Sequence, residues 1–399
     1  MRVANSGILP SVGPSDRALS FGILSSYPPT ACGLATFTAA LANGLSANGA
    51  RVHVVRLADD HRSAIERVVG ELVNGSPASV AAAAELLNQF DVAVIQHEYG
   101  LYGGPDGDEV LQVLGGLRVP SIVIAHTILS HPTPHQRAVL VEVAAIADRI
   151  VVMSEAARAR LCATFDVDPT RVVTIAHGAA IPAVRAATRS IGAGRPAGRP
   201  TSRPTMLTWG LIGPGKGIER MLDAMPALHR LPMRPRYLVA GRTHPKVLAS
   251  HGESYRDARI DQARRLGVSD SVRFDDDYRD MASLNALIAS SAVVVLPYDS
   301  TEQVTSGVLV DAIAAGKPVV ATAFPHAVEL LSSGAGIVVD HNDPDAMAGA
   351  LRRVLLEPGL AAHMAAEAAR LAPALGWPVV AQAYLTLARR LLVARPVLV

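Results

Sequence analysis

The residues whose types and spacing point most directly to chemistry lie in WGLIGPGKGIERML, residues 209–222. An apolar run opens there into a glycine-rich turn and then a helical pattern, with Lys216 at the helix start. Such a turn exposes backbone N–H groups that surround phosphate oxygens, and the lysine adds a positive charge. Gly210, Gly215 and Lys216 also fit the G-x-x-x-x-G-K spacing of a P-loop-like nucleotide hydrolase. The next residue is Gly217, not the Ser or Thr whose hydroxyl would hold Mg²⁺, so that reading stands only as an alternative.

A second phosphate-type signal is DSTEQVTSGVLVDAIAAG, residues 299–316. Thr305, Ser306 and Gly307 open a predicted helix, and small residues there leave the N–H groups of Ser306 and Gly307, with Val308 beside them, to a diphosphate. Asp311 falls among Val308, Leu309, Val310 and Ile313. An acid in so apolar a run needs a partner, which ribose hydroxyls, an internal cap or a salt bridge would supply. VAGRTHP, residues 239–245, offers Arg242 and His244 either to a phosphate or to solvent.

In the first half, SSYPPTACGLATF joins a strand to a helix; Thr30 or a neighbour can cap, and Gly33 lets a ligand approach the backbone closely. Cys32 is read as packing or as lining of an acceptor site. His97, Glu98 and Tyr99 follow the third predicted strand, where they position a polar acceptor, position a loop, or serve structure alone. A zinc HExxH site fails because residue 101 is Leu. His126 ends the fourth predicted strand in IAHTILSHPTPHQ, aimed into a cleft, while His131 and His135 lack a carboxylate co-ligand. His177 is assigned to structure between the halves, and the run Asp275, Asp276, Asp277 to a capping or base-contacting loop in preference to a metal. No metal site is expected.

The elements that must position these residues are short β-branched runs alternating with Ala/Leu-rich segments of helical period, which predicts βα units on parallel sheets. Strands are expected at 18–25, 51–58, 91–98, 121–127, 149–154 and 172–178, then at 205–212, 236–242, 271–274, 292–298, 318–322 and 335–340. A chain of 399 residues suits two such units. We divide it into a tail at 1–17, an acceptor domain at 18–183, an Arg/Gly/Pro-rich linker at 184–204, a donor domain at 205–372 and a closing helix at 373–399. The formal charge of +2 gives no global attraction to nucleic acid, and Cys32 and Cys162 make no disulfide framework, which fits a cytoplasmic protein. No apolar run is long enough to span a bilayer. LTLARRLLVARPVLV is expected to pack on the protein itself, with peripheral contact at the inner membrane face as the competing reading.

Taken together, these residues resemble the family 4 retaining glycosyltransferases, over nearly the whole chain. The resemblance implies a GT-B fold, two Rossmann-like doubly wound domains facing across a cleft. It implies that His126 in IAHT contacts the donor sugar, that Lys216 in GLIGPGKG grips the diphosphate, and that Gly33 meets acceptor and donor phosphate. The family's Glu-x7-Glu signature falls on Gln303 and Asp311, with Glu302 adjacent, and Leu211 stands where the family carries an arginine. The implied activity is transfer of a hexose from a nucleotide diphosphate sugar to a hydroxyl acceptor, with retention and without a required metal or other cofactor. A non-catalytic sugar-nucleotide or glycan-binding protein is the alternative from a different class. The donor base, the acceptor and the oligomeric state are not read from these residues.

Overall fold

The computed structural model describes residues 17–30, 32–60, 64–181, 203–277 and 279–394. Most of the tail read at 1–17, most of the linker read at 184–204 and the last five residues lie outside them.

The first half runs β1 (Ser20–Ser25), α1 (Gly33–Ala47), β2 (Arg51–Leu57), β3 (Val68–Leu72), α2 (Pro77–Leu87), β4 (Val92–His97), α3 (Val110–Gly115), β5 (Ser121–Ala125), α4 (Pro134–Ile146), β6 (Arg149–Val152), α5 (Glu155–Thr164) and β7 (Val172–Thr174). These strands form one parallel sheet in the order β3-β2-β1-β4-β5-β6-β7. Every residue of β1, β4 and β5 is buried, as expected of strands covered by helices on both faces.

The second half runs β8 (Thr205–Trp209), α6 (Ile218–His229), β9 (Arg236–Ala240), α7 (Pro245–His251), α8 (Ser254–Arg265), β10 (Val272–Asp275), α9 (Met281–Ser290) and β11 (Val293–Leu296). It continues through α10 (Gly307–Ala314), β12 (Val319–Thr322), α11 (Pro325–Leu331), β13 (Gly336–Val339), α12 (Pro344–Leu356), α13 (Pro358–Leu375) and α14 (Trp377–Ala394). Its parallel sheet has the order β10-β9-β8-β11-β12-β13.

Strand order reverses direction between β1 and β4 in one sheet and between β8 and β11 in the other. In open α/β sheets these switch points open a crevice beyond the strands' carboxyl ends. The loops that leave those four strands carry Cys32 and Gly33, Glu98 and Tyr99, Lys216, and Thr305 and Ser306. Helix α14 returns to the first half: Tyr384, Leu385, Ala388 and Leu391 join Phe37, Leu41 and Leu45 of α1 in one apolar core. Among the described residues no helix is long and apolar enough to cross a membrane.

Strand β3 was not expected from the sequence. It is an edge strand whose middle residue is Gly70, and a Cβ there would lie 2.4 Å from Leu86 Cδ1. A side chain there would have to displace the end of Leu86 on α2, and the glycine breaks the apolar pattern.

Candidate active site

The glycine loop after β8 is shaped by its neighbour across the switch point. Gly217 has φ +62°, and a Cβ on it would sit 1.6 Å from the carbonyl oxygen of Pro297, so no other residue fits. Asp299 donates its N–H to Gly215 O at 3.1 Å and pairs through its carboxylate with Arg220 Nε at 2.5 Å. The turn thereby delivers Lys216 with its Nζ 4.5 Å from the centre of the Tyr298 ring. The ammonium is half-buried, desolvation lowers its pKa, and among the described residues no carboxylate pairs with it. A cation in that state favours an incoming anion.

Tyr298 also reaches towards Ser306, the N-cap of α10, whose Oγ accepts from Leu309 N–H at 3.3 Å. The sequence reading offered the Ser306 N–H to a phosphate, and the structure corrects this. His326, at the start of α11, accepts that N–H through Nδ1 at 2.9 Å. The N–H groups of Gly307 and Val308 remain without a partner among the described residues, and the first turn of α10 contains no acid. Thr305 adds a buried hydroxyl with no partner, and Val308 lies against Gly210 of the glycine loop. The helix dipole adds a partial positive charge at this N-terminus.

The first half closes this space with rings. Phe37 of α1 sits edge-on to His126 at 4.9 Å and to His177 at 5.1 Å between centroids. His177 donates from Nδ1 to Gly178 O at 2.7 Å, so its Nε2 carries the lone pair. That nitrogen lies 2.9 Å from where a Cβ of Gly307 would be, which joins the end of β7 to the head of α10. His126 Nε2 is 2.5 Å from the Oε1 of fully buried Gln96. Burial, then the neighbouring His177 and His97, lowers the His126 pKa to about 3, so its imidazole is neutral at working pH. Burial likewise holds His177 and His326 at about 4. Neutral imidazoles can exchange hydrogen bonds with hydroxyl groups without adding net charge.

Other expected residues fall in different surroundings. Gly33 is exposed, with open space where its Cβ would point, at the start of α1. The cap of that helix is Cys32, whose Sγ accepts from Ala35 N–H at 3.3 Å, and not Thr30, which is engaged by Asp59 and Arg56. His97, 1% exposed, and Tyr99, 8% exposed, are packed in the interior with unpartnered polar atoms, which leaves little side-chain surface for an acceptor. Glu98 accepts from Gly100 N–H at 2.8 Å and so shapes its own loop. Arg242 is exposed at the end of β9, and His244 caps α7 by accepting from Lys246 N–H at 3.1 Å. Gln303 donates to Thr305 O at 3.1 Å, beside the head of α10. Asp311 is half-buried one turn further along α10, and desolvation pushes its carboxyl up to about 7.

The acidic run does not gather a metal site: Asp275 is held by Arg279 at 2.7 Å, and its carboxyl is driven below the usual range by that contact. Among the described residues no three His, Cys, Asp or Glu side chains are grouped to hold an ion. Sequence reasoning missed His326, because PHAVELL reads as an ordinary helix start. His177, read as structure between the halves, does join them, against the head of α10.

Comparison with known proteins agrees with this arrangement. Residues 31–180 match the profile of Glycosyltransferase Family 4, and residues 203–357 match that of Glycosyl transferases group 1. The chain is 29% identical over 247 residues to the D-inositol 3-phosphate glycosyltransferase of Frankia alni, covering 61% of this chain and 59% of that protein. It is 30% identical over 285 residues to the enzyme of the same name from Salinispora arenicola, covering 65% and 61%. The chain thus spans about six tenths of the length of these curated relatives. In fold it is similar to Anabaena HepE in complex with UDP, with a TM-score of 0.72 at 17% identity over 93% of this chain and 100% of that one. Sucrose-phosphate synthase from Thermosynechococcus elongatus gives 0.73 at 18% identity, over 94% and 100%. The two facing parallel-sheet units are those of the GT-B fold, and the chain belongs to the family 4, group 1 glycosyltransferases.

Proposed function

We propose that this protein transfers a hexose from a nucleoside diphosphate sugar to a hydroxyl-bearing acceptor, with retention at the anomeric carbon and without a metal ion. The observation that carries the proposal is the Lys216 ammonium, which pairs with no carboxylate among the described residues, together with the N-terminus of α10, whose Gly307 and Val308 N–H groups have no partner among them. As the glycosidic bond to the leaving phosphate breaks, negative charge grows on the phosphate oxygens. Lys216 and the N–H groups of Gly307 and Val308 meet that charge in a water-poor crevice, where fixed donors stabilise it best.

His126, neutral and anchored by Gln96, orients the hexose over this clamp. Asp311, pointing from the same helix, receives ribose hydroxyls, and Gln303 stands where the sugar would lie. The acceptor hydroxyl attacks from the face the phosphate leaves, its proton passing to the departing phosphate oxygen. The test is product analysis with UDP-, GDP- and ADP-hexoses in excess EDTA, with the anomeric configuration read by NMR. Metal-independent transfer giving the donor's own configuration is expected; hydrolysis without transfer, inversion, or activity only with Mg²⁺ refutes the proposal.

A further inference from the structure

We propose that Arg160, on α5 and outside every motif described above, is a positioning residue that sets the His126 loop and the donor loop in register. The inference rests on the proposed transfer reaction. Arg160 Nη1 donates to the carbonyl of Ile128 at 3.1 Å, two residues after His126. The same nitrogen donates to the carbonyl of Glu302 at 2.5 Å and lies 3.2 Å from its carboxylate, one residue before Gln303. One guanidinium therefore ties the strand-end loop of the first half to the loop that leads into α10 of the second. Its side chain is 15% exposed, so water does not compete freely for these contacts.

The base of Arg160 is itself fixed across the two halves. Ser154, the N-cap of α5, donates its hydroxyl to Val304 O at 2.5 Å and accepts from Ala157 N–H at 3.0 Å. Glu329 of α11 accepts the N–H groups of Glu155 and Ala156 at 3.0 and 2.8 Å, satisfying the first turn of α5 with a carboxylate from the other half. Arg160 thus engages the Glu302 carboxylate, while Gln303 next to it donates to Thr305 O at the head of α10. Arginine suits this task because its guanidinium is always charged and planar and reaches both loops through the one Nη1 nitrogen. A lysine is one bond shorter and has no plane to fix its head, so it holds the two loops less firmly.

Arg160→Met and Arg160→Lys test this in the full-length chain. Misplacing reacting groups by about 1 Å costs on the order of 100-fold, so Arg160→Met is expected to lower kcat by roughly 30- to 100-fold while the donor KM changes less than about threefold. Arg160→Lys should fall between the two, and thermal shifts with UDP and GDP should stay as in the unsubstituted protein. In a His126→Ala background, Arg160→Met should cost less than about threefold more, because the residue acts through His126 placement. Hydrogen exchange of segments 126–131 and 300–306 should quicken together in Arg160→Met. Full multiplicative loss in the His126→Ala background, or exchange that quickens in neither loop, overturns the proposal. If the unsubstituted protein transfers from none of the sugar nucleotides, it is the transfer reading that fails, and hydrogen exchange still decides whether Arg160 couples the loops.

Discussion

Replacing Lys216 by Met separates catalysis from stability in a way the structure makes quantitative. The ammonium is desolvated and pairs with no carboxylate among the described residues, so in the unliganded protein it has only the face of Tyr298 for company. That contact contributes about 0.5–2 kcal/mol, against which stands the cost of taking the charge out of water. Met keeps the stem and its packing on Tyr298 and removes the charge. Melting temperature is therefore expected to stay level or rise.

The sign with pH follows from linkage. A lysine whose folded pKa is lowered binds its proton more weakly folded than unfolded, so its burden on stability is present at low and neutral pH. That burden lifts as pH rises through the folded value towards the ordinary one. Lys216→Met should lose this upward slope. Transfer behaves oppositely, since at about 4 Å and an effective dielectric of ~20 a pair of unit charges is worth about 4 kcal/mol. The N–H groups of Gly307 and Val308 retain part of the clamp, so kcat/KM is expected to fall about 10²- to 10³-fold, the range found on removing one oxyanion donor. The assay pairs differential scanning fluorimetry across pH 6–10 with initial rates on the accepted donor. Loss of stability together with unchanged kcat/KM would refute the reasoning, because it would make Lys216 a structural cation.

Two further outcomes follow from the same geometry. Asp311→Asn should raise melting temperature more at pH 8 than at pH 5: a carboxyl pushed up to about 7 loses its contribution to stability progressively from its ordinary value of about 3.9 up to about 7, so only part is lost at pH 5, and the amide never ionises; equal melting shifts at both pH values would count against a desolvated acid. Gly217→Ala places a methyl 1.6 Å from Pro297 O at φ +62° and should distort the loop, with destabilisation of about 2 kcal/mol or more in urea unfolding and loss of the nucleotide-induced thermal shift; an unperturbed variant would mean the loop is not held as described.

Much of this was legible in the sequence, for identifiable reasons. Strands such as AVIQ and VVVL are buried on both faces, so their apolar runs are continuous and announce a parallel sheet. Lys216 could be found because the glycines that seat it are local to it in sequence. What the sequence hid depends on groups that meet only after folding. Arg160 lies in EAARARLCAT, which carries no motif, and its partners are 32 and 142 residues away. The Ser306 N–H seemed open to a ligand until α11 brought His326 against it from 20 residues on. Gly70 hid β3 because a glycine in its middle interrupts the apolar pattern by which a strand is read. Buried His97 and Tyr99 looked like site residues because strand-end position alone does not say whether a side chain faces the crevice or the interior.

The central claim is most directly tested by the crystal structure of the protein soaked with the sugar nucleotide that it turns over, or with the matching nucleoside diphosphate. The β-phosphate is expected within hydrogen-bond distance of Lys216 Nζ and of the N–H groups of Gly307 and Val308, with the ribose at Asp311. A diphosphate bound elsewhere, with Lys216 still resting on Tyr298 and the head of α10 untouched, would contradict it.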